Sequence, residues 1–124
     1  MPQMTPRQIA NMQRIFAMPF GSLYPALVAK VEKKGRTREE LDEVTCWLTG
    51  HDPKSLAKAL ADGISTEDFV STAPKLNPKR ELVTGVVCGV RVEEVEDPTM
   101  RVLRQLDKLV DELAMGRPME KVLR

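Results

Sequence analysis

The 124-residue sequence predicts an all-α fold, a small orthogonal bundle of about six short helices. Prolines follow helix-capping residues at Thr5-Pro6, Asp52-Pro53, Asn77-Pro78 and Asp97-Pro98, where the missing N–H would be unpaired in any case. Glycines stand where helices should stop, at Gly35, Gly50, Gly63 and Gly116, because a left-handed closing residue is least strained without a side chain. Between these marks apolar residues recur three and four apart, the spacing of one helix face.

Residues 1–12 read as a variable N-terminal extension and residues 13–124 as a single helical domain. From Ser22 to Lys34 the apolar residues Leu23, Leu27 and Val31 recur every four, with Val28 beside them, and Pro25 is tolerated in the first turn. Thr37 and Glu40 form the reciprocal pair of a capping box, opening a helix that buries Leu41, Val44, Trp47 and Leu48 and stops at Gly50. Asp52 to Ala61 makes a short helix with Leu56 and Leu60 inward, and Ser65 with Asp68 caps another around Phe69 and Val70. After Asp97-Pro98 comes the longest helix, with Val102, Leu103, Leu106, Leu109, Val110 and Leu113 on one side. Pro118 then starts a final turn.

The segment from Leu82 to Val90 is rich in β-branched residues yet too uniformly apolar for its period to decide between helix and strand. The Asn77-Pro78 start and the spacing of Val83, Val86, Val87 and Val90 favour a central helix, with Thr84, Gly85, Cys88 and Gly89 as a stripe of small residues. The alternative is an α+β fold with one small hairpin around residues 82–95.

At 13.9 kDa the chain is one domain, large enough to bury a core without metals or disulfides. It has no apolar run near the length of a membrane span, and its first twenty residues lack the stretch of a secretory signal. A cytoplasmic protein is expected. Cys46 and Cys88, the only cysteines, are too few for a disulfide scaffold or a four-thiolate site, and no close pairing such as C-x-x-C or H-x-x-x-H occurs. No metal and no cofactor are expected. His51 is the only histidine that could serve a nucleophile as base, and its Gly50-His51-Asp52-Pro53 setting reads as a turn between helices, where it is solvent-exposed or capping.

Charge is uneven. Residues 1–38 carry seven basic and one acidic side chain, residues 39–73 two and eight, and residues 74–124 ten and nine. The basic cluster Lys30, Lys33, Lys34, Arg36 and Arg38 abuts Glu39, Glu40, Asp42 and Glu43. Such a cluster is what phosphate neutralisation requires, but a pI of 7.8 and 4% aromatic residues argue against nucleic acid, since base stacking would have little to work with. Solvated, partly cancelling helix faces are the better explanation.

The candidate binding residues are Tyr24, Arg36, Trp47, Arg91 and Glu94. Tyr24, Trp47 and Arg91 would line the wall of a cleft, as two amphipathic rings and a cation make a usual recognition set. Glu93 and Glu94 would add carboxylates, and Arg36 belongs to the basic cluster. Against this, Trp47 at the end of its helix fills a core as readily as it lines a cleft. The acids after Arg91, and Asp107 and Asp111 near Arg104 and Lys108, are equally explained as ion pairs. No catalytic residue stands out.

Tyr24-Pro25, Val31 to Thr37, Trp47-Leu48-Thr49-Gly50, Leu76-Asn77-Pro78, the long stretch Val83 to Pro98, and Leu106 to Leu113 together closely resemble a family of bacterial proteins known as domain of unknown function 2200. The resemblance runs from about Gln13 to the C-terminus. It implies a mainly helical fold and a bacterial cytosolic setting, and it brings no activity, cofactor or catalytic residue. The expected function is therefore a small cytosolic interaction module that binds a protein partner or self-associates. The alternative is a small-molecule or nucleotide-binding protein, or an enzyme, with a cleft near Trp47 and Arg91.

Overall fold

The computed structural model describes residues 5–124. Seven α-helices are found among them: α1 (Pro6–Ala17), α2 (Phe20–Lys33), α3 (Arg38–Thr49), α4 (Pro53–Ala61), α5 (Thr66–Ser71), α6 (Pro98–Ala114) and α7 (Met119–Val122). Between α5 and α6 run two 3-10 turns, Pro78–Leu82 and Val92–Glu94, on either side of a hairpin of β1 (Val86–Val87) and β2 (Val90–Arg91). The fold is mostly helical, as the sequence predicts, and carries the one small hairpin of the alternative reading. The predicted caps are in place. Thr5/Gln8, Thr37/Glu40 and Asp52/Ser55 each form a reciprocal capping box, and Ser65, Asn77 and Asp97 accept the N–H of Asp68, Lys79 and Met100. Because α1 starts at Pro6, the stretch read as an extension supplies the first half of a helix; residues 1–4 lie outside the described residues.

Helix α2 begins at Phe20, earlier than the spacing suggests, because Phe20 is itself in the core. Pro25 therefore sits in the second turn, where its ring faces the carbonyl of residue 21. That residue is Gly21, and α4 crosses so near that a side chain there would lie 2.5 Å from the Leu60 carbonyl oxygen.

Helix α6 is the central element, packed against α2, α3, α5, α7, β1 and the second 3-10 turn. Its buried side includes Leu106, Leu109, Val110 and Leu113, which meet Tyr24, Val31, Leu41, Val44 and Leu48 in one core. A column of rings closes one side. Phe20 stacks on Phe69 with centroids 3.9 Å apart, Tyr24 tilts against Phe20 at 5.6 Å, and His51 stacks on the other side of Phe69 at 5.1 Å. His51 is thus half-buried rather than a solvated turn residue. Its Nδ1 lies 2.8 Å from the Ser55 hydroxyl, its Nε2 is buried without a partner, and burial holds its pKa below the usual range against the opposing pull of Asp52.

The central helix expected over residues 82–95 does not form, and the alternative hairpin stands in its place. Two residues decide it. Cys88 and Gly89 have φ of 52° and 75°, the pair of positive values that a two-residue hairpin turn with the right twist requires. The segment is not central either: Val83, Val87 and Val92 are buried while Leu82 and Val86 are exposed, so the β-branched run alternates against α6. Among the described residues no helix is long and apolar enough to cross a membrane.

Candidate functional site

Helix α3 turns Leu41, Val44, Thr45, Leu48 and Thr49 into the core. The two threonines fit there because each hydroxyl donates back to a carbonyl one turn earlier, Thr45 to Leu41 over 3.0 Å and Thr49 to Thr45 over 2.7 Å. On the flank Asp42 accepts the Tyr24 hydroxyl at 2.6 Å, with the Thr45 hydroxyl 3.1 Å from the same phenol. Burial, then the Asp42 hydrogen bond, pushes the Tyr24 pKa far above its usual value, so the phenol stays protonated. The Arg38 guanidinium sits 6.0 Å from the ring centroid and 3.9 Å from Asp42.

The remaining acids of α3 divide. Glu40 is held by Arg36 at 2.8 Å and by the Thr37 N–H, and these bonds keep its carboxyl below the usual range. Glu39 and Glu43 are exposed and have no ion-pair or hydrogen-bond partner among the described residues. One turn further along the same side lies Trp47, half-buried against the core, with its carbonyl fixed by Asn77 Nδ2 at 3.2 Å. Its indole N–H has no partner among the described residues. Beside it the Cys46 thiol is pushed up by burial and then by Asp42 and Asp52, and the carbonyls that close α3 are occupied, Cys46 by the Gly50 N–H, Leu48 by the Asn77 N–H and Thr49 by the Lys75 N–H.

The basic cluster is mostly engaged. Arg36 reaches across to α6 and donates to the carbonyls of Leu113 and Arg117, at 3.4 and 2.9 Å, which closes the end of that helix. Lys30 lies 3.4 Å from Asp111, and Arg38 is beside Asp42. Lys33 and Lys34 remain exposed.

Arg91 and Glu94 lie at the hairpin. Arg91 is exposed and 3.3 Å from Glu93, whose carboxylate accepts the Gly85 N–H at 2.9 Å; that backbone bond, more than Arg91, holds its pKa down. Glu94 is exposed on the second 3-10 turn. Two clefts open on the surface, and of the predicted residues Tyr24 alone lines either. One, of about 220 Å³, is lined by Tyr24, Gly21, Val28, Leu60, Glu32 and Arg38; the other, of about 400 Å³, by Lys108, Glu112, Met115, Gly116 and Arg117. Trp47, Arg91 and Glu94 line neither. In the second cleft Glu112 is buried between Arg124 at 2.8 Å and Arg117 at 3.2 Å, an ion-pair clamp that ties the segment after α6 back onto it. Among the described residues no three His, Cys, Asp or Glu side chains gather as a metal site.

Sequence reasoning singled out Tyr24 and Trp47 but not Asp42, the partner of Tyr24 on α3, nor the contrast between the held and the free acids. Asp42 and Thr45 lie three apart and so share a side of the helix, a signal that spacing offers; their meeting with Tyr24 depends on how α2 crosses α3.

The chain matches the model of a family described as uncharacterized protein conserved in bacteria (DUF2200) over residues 14–124. Among curated proteins none matches it. A solved crystal structure, that of uncharacterized protein SP1917, is similar to it at 44% identity and a TM-score of 0.86, covering 90% of this chain and 91% of that one. With the family model spanning all but the first residues of the fold, this chain belongs to the bacterial DUF2200 family.

Proposed function

We propose that this chain is a cytoplasmic helical interaction module that binds a protein partner, and that the outer side of α3 is its binding face. The observation that carries the reading is the pair of unpaired carboxylates, Glu39 and Glu43, in line with the half-buried Trp47. Tryptophan is the residue type most enriched where binding energy concentrates, and free charges around it set orientation and encounter rate. The basic cluster supports a nucleic-acid reading less well, because Arg36, Lys30 and Arg38 already meet carbonyls or carboxylates of the same chain.

A photoreactive side chain in place of Glu43 tests this in the cell, with the same group in place of Lys121 on another helix, α7, as control. Protein adducts at position 43 and not at 121 are expected. Adducts at neither position, together with a single 13.9 kDa species in light scattering at high concentration, would remove both the partner and the self-association readings.

A further inference from the structure

We infer that the occupant of the α3 face is an extended, cationic segment of a partner protein, with basic side chains at alternate positions. This rests on the reading of α3 as the binding face and goes beyond it by naming the partner's chemistry. Glu39, Glu43 and Trp47 are spaced four apart, so they form one shallow stripe with a repeat of about 6 Å along the helix. Side chains on one face of an extended chain repeat at about 6.6 Å, nearly the same interval. Three alternate basic residues would therefore set two cations on the two free carboxylates and a third against the indole.

Two further carboxylates, Asp42 and Asp52, raise the negative potential around Cys46, next to Trp47 in the chain. An anionic or nucleic-acid partner would meet Glu39 and Glu43 uncompensated. A purely apolar one would leave both carboxylates unmatched.

Trp47 is the only tryptophan, so its emission reports this face alone. The probe is a hexapeptide of alternating arginine and serine, titrated into the full chain at low and at physiological salt. A saturable one-to-one change in emission is expected, weakening as salt screens the charges. An isomer with its three arginines adjacent should bind at least about threefold more weakly, because its cations cannot reach all three positions. Glu39→Gln/Glu43→Gln should lower affinity about tenfold with only a small fall in melting temperature, from the lost first-turn charge of Glu39, and the chain still folded; Glu67→Gln on α5 should leave affinity unchanged. Trp47→Leu, followed by calorimetry, should weaken binding further.

Equal affinity for the two isomers, or for the wild type and the double variant, would overturn the proposal. So would an emission change on raising the protein's own concentration that Lys33→Gln/Lys34→Gln abolishes, which would make a second copy the occupant. Adducts at position 43 without peptide binding would overturn the cationic partner while leaving α3 as the binding face. Failure of both experiments would overturn the face itself.

Discussion

The Tyr24 hydroxyl donates to the Asp42 carboxylate over 2.6 Å, joining α2 to α3 at the edge of the core. Tyr24→Phe removes that donor and the 3.1 Å contact with Thr45 together. A loss of about 1–2 kcal/mol is expected in urea unfolding, since a carboxylate left without its donor loses more than a neutral acceptor would.

Tyr24 is also the only tyrosine, so its ionisation can be followed by ultraviolet absorbance. Its folded pKa is raised, chiefly by burial, above the ordinary tyrosine value of 10.0. The folded state therefore keeps its proton where the unfolded chain releases it. The stability this contributes is fully present below pH 10 and lost as pH rises above it. Tyrosinate should appear only together with unfolding; absorbance change in a chain that is still helical by circular dichroism would refute this.

His51 has the opposite linkage. Burial lowers its folded pKa below 6.5, so the unfolded chain binds the proton more readily. Stability should fall as pH drops below about 6.5 and level off once the folded ring is itself protonated. His51→Phe keeps the stack on Phe69 and should remove this step from the pH profile of the urea midpoint.

Arg36→Lys should cost about 1–3 kcal/mol, because one ammonium cannot hold the Glu40 carboxylate and the carbonyls of Leu113 and Arg117 at once. Arg36→Ala should cost no less. If either variant unfolds with the wild-type urea midpoint, Arg36 is not the clamp between the α2–α3 turn and α6.

Gly50→Ala should be worse tolerated than an ordinary cap change. Gly50 has φ of 81°, and an added Cβ would lie 2.6 Å from both the N and O of Lys75, backbone atoms that cannot step aside. A loss of about 2 kcal/mol or more is expected. Cys88→Asn should act the other way, gaining about 0.5 kcal/mol, since asparagine before glycine suits the positive φ at the hairpin tip better than cysteine does. Thermal melts of the two single variants check both signs.

What the sequence determined by itself is local. Thr5, Thr37, Asp52, Ser65, Asn77 and Asp97 mark their starts because a cap is a hydrogen bond between residues two or three apart. The apolar stripe of α6 is equally legible, since a helix repeats its face every three or four residues. Tertiary structure decided the rest. In residues 82–95 an unbroken apolar run satisfies helix and strand alike, and only packing against α6, with Cys88 and Gly89 able to turn, selects the hairpin. Charge on α3 was visible as composition, and its Arg36–Glu40 and Arg38–Asp42 pairs follow from four-residue spacing, but the bond from Tyr24 to Asp42 depends on how α2 crosses α3. Local hydrogen bonds are written in sequence separation; the pairing of distant charges is set by how the helices pack.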